Sequence, residues 1–287
     1  MIRVVIVAHH GHPDARALAA DTVAWLRARG DVAWIPTEDA AAFAMPDLGG
    51  DAAATTADLV LCLGGDGTML RAVKLLDGAA VPLLGVNLGR LGYLTEVEAG
   101  AIHEALERFA AGAETGHWQL DERMMLDVSV TAADGTHVGT WRALNEAVVE
   151  KQLSGHTVDL LVRIDGDRFT SYATDGLIVS TPTGSTAYSL SARGPIVSPK
   201  HRALLITPVA PHTLFDRSLV LDPTERVDVE VIGDRSASVA IDGLAVCDLT
   251  IGCSVGCVPS AATARFVRFG EHRYHQVLKA KFGLTDR

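Results

Sequence analysis

Leu63-Gly64-Gly65-Asp66-Gly67-Thr68 is the stretch around which this chain is organised. Before it runs Leu59-Val60-Leu61-Cys62-Leu63, an apolar run of the length and character of a buried strand. After it, Met69-Leu70-Arg71-Ala72-Val73-Lys74-Leu75-Leu76 places apolar residues at helical spacing. Glycines and one carboxylate therefore fall where a strand ends and a helix begins, the edge at which an open α/β sheet binds ligands. Glycine permits positive φ and a close approach of backbone to ligand, and the unpaired N–H groups of a helix start attract phosphate. A carboxylate in such a loop repels a bare phosphate unless it works on a hydroxyl or a metal. The pairing points to phosphoryl transfer, with Asp66 facing the acceptor hydroxyl. The competing reading is a tight strand–helix turn with Asp66 as helix N-cap. The loop is not a Walker A motif, since no Gly-Lys-Ser/Thr follows, and it lacks the G-x-G-x-x-G spacing of the dinucleotide fingerprint.

The 287 residues are enough for one large or two ordinary domains, and a hydrophobic content of 48% supports a packed core. The formal net charge of −10 argues against a general nucleic-acid binder, which needs a basic face. An anionic ligand would have to be held by local Arg, Lys, His, helix ends or a metal. No apolar run reaches the length of a membrane span. The opening Met1-Ile2-Arg3-Val4-Val5-Ile6-Val7 reads directly as a strand with no signal-peptide pattern, so a cytoplasmic location is expected. Cys62, Cys247, Cys253 and Cys257 lack zinc-site spacing and read as reduced thiols; no metal ligands are assigned.

In chain order, residues 2–8 read as a first strand and His9-His10-Gly11-His12-Pro13 as a loop, with Pro13 suited to the first helical position. A helix follows over 15–29 and stops at Gly30. The three histidines read as a polar loop at the ligand edge rather than a metal site, since no carboxylate partner is evident. Residues 32–35 form a second strand ended by Pro36, and 40–57, rich in Ala, Gly and Asp, read as a mobile surface segment. Pro82-Leu83-Leu84-Gly85-Val86 is another buried strand, opening into the glycine-punctuated 87–94; 102–110 is helical. Strands alternating with helices predict an α/β N-terminal domain with a doubly wound parallel sheet. After Trp118 the period changes. Strands are expected over 124–130, 137–143, 158–164, 168–173, 204–207, 227–232, 236–241 and 264–269. Asp134-Gly135, Asp165-Gly166 and Asp242-Gly243 mark hairpin turns. Residues 274–281 read as a closing helix. The expected division is 1–117, an α/β domain; 118–265, a β-rich domain; and 266–287, a strand and helix packing back on the first domain.

Two polar stretches within the β-rich part do not read as packing: Leu144-Asn145-Glu146-Ala147, and Thr174-Asp175-Gly176 followed by Ser180-Thr181-Pro182-Thr183-Gly184-Ser185-Thr186-Ala187-Tyr188-Ser189-Leu190-Ser191. For any single Ser or Thr a turn or N-cap is the simpler reading. The whole run, dense in hydroxyls and small residues, suits a ligand carrying ribose and amide groups. Glu146 could instead pair with Lys151 or Arg142, and Tyr188 could stack on a base or sit in the core.

Together with Gly64-Gly65-Asp66-Gly67-Thr68, these stretches occur in the order and spacing of a known family. The chain resembles the bacterial NAD kinases, over nearly its whole length. Further matching stretches are 85–94, Arg123-Met124-Met125-Leu126 and Pro208-Val209-Ala210-Pro211-His212-Thr213-Leu214. The resemblance implies a β-rich C-terminal domain of sandwich type and transfer of the ATP γ-phosphoryl group, or one from polyphosphate, to the 2′-hydroxyl of the adenosine ribose of NAD. It implies that Asp66 is the catalytic carboxylate. It places Gly67, Arg71, Asn145, Glu146, His156, Asp175, Thr186, Ala187, Tyr188, Ser189, Leu190, Ser191 and Ala210 at the NAD site with Asp66. Gly64, Gly65, Gly67 and Thr68 form the phosphate loop. A divalent cation, Mg²⁺ or Mn²⁺, is expected with the nucleotide, and a homodimer or homotetramer is implied. Leu244 departs from the pattern, standing after Asp242-Gly243 where many relatives carry a polar residue. A diacylglycerol-type lipid kinase shares the glycine–aspartate loop, but no basic amphipathic helix for membrane docking is present. A non-catalytic pyridine-nucleotide sensor is the third reading, and an intact Asp66 argues against it.

Overall fold

The structure is a computed structural model and describes residues 1–50, 52–90, 92–270 and 274–284. The chain divides into two compact units, Met1–Glu122 with Ala264–Arg287, and Arg123–Thr263.

The first unit is an α/β fold. Its elements are β1 (Arg3–Ala8), α1 (Ala15–Ala28), β2 (Val32–Pro36), α2 (Thr37–Ala42), β3 (Gly49–Gly50), β4 (Leu59–Leu63), α3 (Asp66–Leu76), β5 (Leu83–Asn87), β6 (Val97–Glu98), α4 (Ile102–Ala110) and α5 (Ala113–Gly116). The strands pair in the order β5-β4-β1-β2-β3, all parallel. Every residue of β4 and β5 is buried, as their unbroken apolar runs require of strands covered on both faces. Helix α1 turns Ala15, Ala19, Val23 and Leu26 inward at three- and four-residue spacing. Their core also takes in Ile6, Leu61, Leu84, Leu106 and Val267.

Three expectations change here. Pro13 lies ahead of α1, which begins at Ala15 with Asp14 as its N-cap position, because the chain turns twice before entering the helix. Pro36 ends the second strand from within, as its last residue, where it pairs with Gly50 before α2 begins at Thr37. Residues 40–57 are not a featureless mobile segment. They contain the end of α2, strand β3 and two 3-10 turns, and Ala40 and Phe43 are buried in the core. Low sequence complexity concealed the few apolar anchors that fix this segment.

The second unit holds two antiparallel layers. The remaining elements are β7 (Gln119–Thr131), β8 (His137–Ala143), β9 (Glu146–Lys151), β10 (Val158–Ile164), β11 (Asp167–Thr174), β12 (Gly176–Ser180), α6 (Tyr188–Ser191), β13 (Leu204–Val209), β14 (Leu219–Leu221), β15 (Val227–Ile232), β16 (Ala237–Ile241), β17 (Leu244–Leu249), β18 (Ser254–Arg268) and α7 (Tyr274–Phe282). One layer runs β11-β10-β15-β18, with the β7–β8 hairpin also built into this unit; the other runs β14-β13-β12-β9-β16-β17. Inward residues of both layers, among them Val149, Leu177, Ile206, Val239, Leu160, Val229 and Val255, share one core, which makes the arrangement a sandwich. Asp165-Gly166 and Asp242-Gly243 adopt positive φ at both positions, the conformation that two-residue hairpins need. Strands β9, β12, β14 and β17 carry no alternation or turn signal strong enough to separate them from the polar motifs beside them. They are recognisable only from their pairing.

Candidate functional site

In the first unit the glycine loop delivers Asp66 as the first residue of α3, with Gly65 in the N-cap position. The N-cap reading of Asp66 is therefore not what forms. Its carboxylate points instead to the loop after β5, where Oδ2 accepts the backbone N–H of Tyr93 at 3.0 Å and Oδ1 that of Leu94 at 2.9 Å. The side chain is half-buried and fixed at both oxygens. An ideal Cβ on Gly92 would stand 2.4 Å from Asp66 Oδ1, so only glycine lets the second loop come this close. Arg268 holds that loop from behind. It is fully buried, donates to the carbonyls of Leu94 and Thr95, and pairs with Glu96 at 3.0 Å and Asp121 at 3.3 Å.

The phosphate-loop residues divide. None of Gly64, Gly65 and Gly67 adopts positive φ. Gly64 is required for space, since a Cβ there would meet Thr68 Oγ1 at 2.2 Å. Thr68 is buried beneath it, so its hydroxyl packs rather than faces a ligand. Gly65 and Gly67 have no heavy atom within 4 Å of an added Cβ and open outward. Arg71, one turn further along α3, is bidentate to Asp39 at 2.8 Å on each oxygen and donates to the Ala8 carbonyl. His10 lies 2.8 Å from the same carboxylate. The histidine loop thus has the carboxylate partner that its sequence concealed. Asp39 is buried, accepts the Ala8 N–H as well, and sits in α2 just ahead of the segment expected to be mobile; nothing in its sequence neighbourhood announces it. Among the described residues no group of three or more His, Cys, Asp or Glu side chains is placed to hold a metal ion.

In the second unit the remaining candidates form a strip along the antiparallel pair β9–β12, in which Glu146 faces Ser180 and Glu150 faces Gly176. Glu146 and Glu150 share one face by the two-residue period. The phenol of Tyr188 lies near enough to Glu150, Asp175 and Glu146 to feel their charges; burial and then those charges push it above its usual range. Tyr188 is 40% exposed and so is not a core tyrosine. At one end Asn145 and Glu146 are held by the Asp242 carboxylate, which accepts the backbone N–H groups of Leu144 (2.8 Å), Asn145 (2.8 Å) and Glu146 (3.1 Å). Its own N–H donates to the Glu146 carbonyl at 3.0 Å. Burial pushes Asp242 up, and these three donors pull it back. Gly184 packs on this corner, where a Cβ would stand 2.2 Å from the Asn145 carbonyl oxygen.

Glu146 is 5% exposed, and its pairing with Lys151 or Arg142 is not what forms. Lys151 bonds Asp175, and Arg142 bonds Asp127. Glu146 accepts the Tyr188 N–H, and its Oε2 is buried without a partner. Burial, then the adjacent Asp242 charge, raises its pKa to about 8. At the other end Asp175 and His156 line a cleft of about 430 Å³ with Lys151, His212 and Arg235. Ala210 is exposed and adopts positive φ, two residues before His212, whose N–H bonds the Ala173 carbonyl.

Within the hydroxyl-rich run, exposure separates two kinds of residue. Ser185 and Ser189 are fully buried, Ser185 bonding Pro182 and Val197, and Ser189 bonding Thr207. Their hydroxyls brace the turn. Thr186, Ala187 and Leu190 are half-buried, and Ser191 is exposed. Leu244, at the start of β17, is 52% exposed.

A carboxylate fixed at a glycine-loop helix start in one unit, and a strip of carboxyl, amide and hydroxyl groups on a sandwich in the other, are the parts of a nucleotide-dependent kinase. The comparisons with known proteins name it more closely. Residues 47–114 match the ATP-NAD kinase N-terminal domain and residues 144–269 the ATP-NAD kinase C-terminal domain. NAD kinase of Geobacter sulfurreducens is 36% identical over 294 residues, with all of both chains covered. That of Moorella thermoacetica is 38% identical over 98% of this chain and 89% of its own. Among solved structures, yeast NADH kinase complexed with NADH shares the fold at a TM-score of 0.89 and 24% identity, covering 100% of this chain and 89% of the other. An NAD kinase from Archaeoglobus fulgidus in complex with ATP aligns at a TM-score of 0.71 and 24% identity, covering 99% and 100%. The chain belongs to the NAD kinase family, and the lipid-kinase reading falls away. No described helix is long and apolar enough to cross a membrane.

Proposed function

We propose that this enzyme transfers the γ-phosphoryl group of ATP to the 2′-hydroxyl of the adenosine ribose of NAD, giving NADP and ADP. The observation that carries the reading is the Asp66 carboxylate, fixed by two backbone N–H donors at the start of α3 yet half open. A ribose hydroxyl is a weak nucleophile at neutral pH. Asp66 orients it and takes its proton as the bond from the 2′-oxygen to γ-phosphorus forms and the bond from γ-phosphorus to the β-bridging oxygen breaks. The outward-facing backbone at Gly65 and Gly67, on a helix N-terminus, receives phosphate. A divalent cation, Mg²⁺ or Mn²⁺, enters as part of the nucleotide substrate and offsets its charge. Arg71 is committed to Asp39, so it shapes the loop and contributes its field rather than a free fork of donors.

The strip in the second unit binds the dinucleotide. Asn145 and Glu146 meet hydroxyl and amide groups at one end, and Tyr188 offers its exposed ring to a base. Asp175, His156 and the cations beside them receive the other end, including the pyrophosphate. Thr186, Ala187, Leu190, Ser191 and Ala210 border the strip, while Ser189 serves it through backbone. The working form is a homodimer or homotetramer in the cytoplasm, where ATP and NAD are available; light scattering reports the former. Polyphosphate is the alternative donor.

The test is a coupled assay of purified protein with NAD, ATP and Mg²⁺, reading NADP with an NADP-specific dehydrogenase, and Asp66→Asn in parallel. NADP formation that collapses in the variant while NAD binding persists is the expected result. Product only with polyphosphate changes the donor. Binding of NADP without turnover from any donor replaces the kinase with a sensor.

A further inference from the structure

Glu146 and Asp242 are two carboxyl groups in one buried corner. Their backbones are cross-strand neighbours, tied by the Asp242 N–H to the Glu146 carbonyl and by the Glu146 N–H to Asp242 Oδ1. The surroundings treat them unequally. Asp242 collects three backbone donors, from Leu144, Asn145 and Glu146. Glu146 has the Tyr188 N–H alone, and its Oε2 is enclosed with no partner. Two carboxylates sharing a site do not both ionise, and the charge goes to the one with more donors. That one is Asp242. A buried acceptor-only oxygen without a donor is costly, whereas the same atom carrying a proton becomes a donor awaiting an acceptor.

We infer that Asp242 is a positioning residue for this enzyme, holding the Asn145–Glu146 backbone and keeping Glu146 neutral, so that Glu146 Oε2–H donates a hydrogen bond to an acceptor atom of the dinucleotide. The inference rests on the reading that the β9–β12 strip binds NAD. The charged and titratable groups near Glu146 are Asp242 from the β16–β17 turn and the Tyr188 phenol from α6, which also senses Glu150 and Asp175. The Asp242 carboxylate opposes ionisation of Glu146. A hairpin aspartate at positive φ thereby acquires a task beyond making the turn.

The experiment is calorimetric titration of the full chain with NAD, without ATP, between about pH 6.5 and about pH 9.5. The wild type should bind with constant affinity at the acid end and lose about tenfold for each further pH unit at the alkaline end, with proton uptake on binding there. Glu146→Gln keeps a donor at that position and cannot ionise. It should retain binding and flatten the alkaline loss, while Glu146→Ala weakens binding at every pH. Asp242→Asn removes the like charge, so the loss should begin at lower pH. If that variant does not fold, Glu146→Gln carries the test alone. A wild-type affinity that is flat with pH, or an alkaline loss that persists in Glu146→Gln, overturns the inference while leaving the kinase reading intact. Failure of NAD to bind at any pH, with no NADP in the coupled assay, overturns the NAD reading itself.

Discussion

Asp66, just past the end of β4 in the first unit, and Glu146, at the start of β9 in the second, are both carboxyl residues beside a corner closed by a glycine, and their surroundings assign them opposite tasks. Asp66 is half open and receives a backbone donor on each oxygen. Both oxygens are held as acceptors, the arrangement that orients a hydroxyl and receives its proton. Glu146 is enclosed, lies beside a second carboxylate and has an oxygen with no donor. Its environment favours the neutral acid. The lesson is that donors and burial, more than residue type, decide what a carboxyl group does.

That contrast can be broken most severely at Asp66. Asp66→Asn is isosteric but removes the proton acceptor and one of the two ties to the loop at Tyr93 and Leu94. We expect kcat to fall by about 10²–10⁴, with the NAD dissociation constant little changed by calorimetry. A near-normal kcat would place the proton elsewhere. The support behind Asp66 comes next. Arg268→Ala leaves Glu96 and Asp121 without their buried cation and should cost about 3–5 kcal/mol in urea unfolding.

The two glycines then sharpen the comparison. Gly92→Ala and Gly184→Ala each force a Cβ into a neighbour, Asp66 Oδ1 in one case and the Asn145 carbonyl in the other. Both should destabilise by about 1–3 kcal/mol. Their kinetic effects should separate, Gly92→Ala lowering kcat and Gly184→Ala raising KM for NAD. Equal effects on both parameters would mean that the two corners do not have distinct tasks. A further effect is on stability against pH. Glu146 has its folded pKa raised above the unfolded value, so the folded state binds the extra proton between about pH 4.5 and about pH 8. Stability from this group is therefore complete at the acid end and lost as pH rises through that window. Without ligand, Tm should decline as pH rises across it, and Glu146→Gln should remove that part of the slope.

Much of this was readable in the chain. The unbroken apolar run 59–63 followed by helical spacing could only be a buried strand feeding a helix, and it located Asp66 at the ligand edge. The Asp-Gly pairs at 165–166 and 242–243 specified hairpins, because positive φ at two successive positions suits few other dipeptides. Other features were hidden. Asp39 lies in an Ala-rich segment whose order comes from two buried apolar residues and from ties to Arg71, Ala8 and His10. The hydroxyls of Thr68, Ser185 and Ser189 read like ligand-binding groups, and burial shows that they brace the chain instead.

Local patterning by itself determined the strand–loop–helix that carries Asp66, the change from an alternating α/β order to a β-rich half, and the polar stretches from which the site is made, since hydrophobic period and turn chemistry act over a few residues. Tertiary structure alone decided that Asp66 faces the N–H groups of Tyr93 and Leu94, that Arg71 is spent on Asp39, and that Asp242 reaches the backbone of 144–146. Those contacts join residues 27 to 98 positions apart. Burial and hydrogen-bond partners at such distances are fixed by packing, and they are what separate the tasks of the two carboxyl groups.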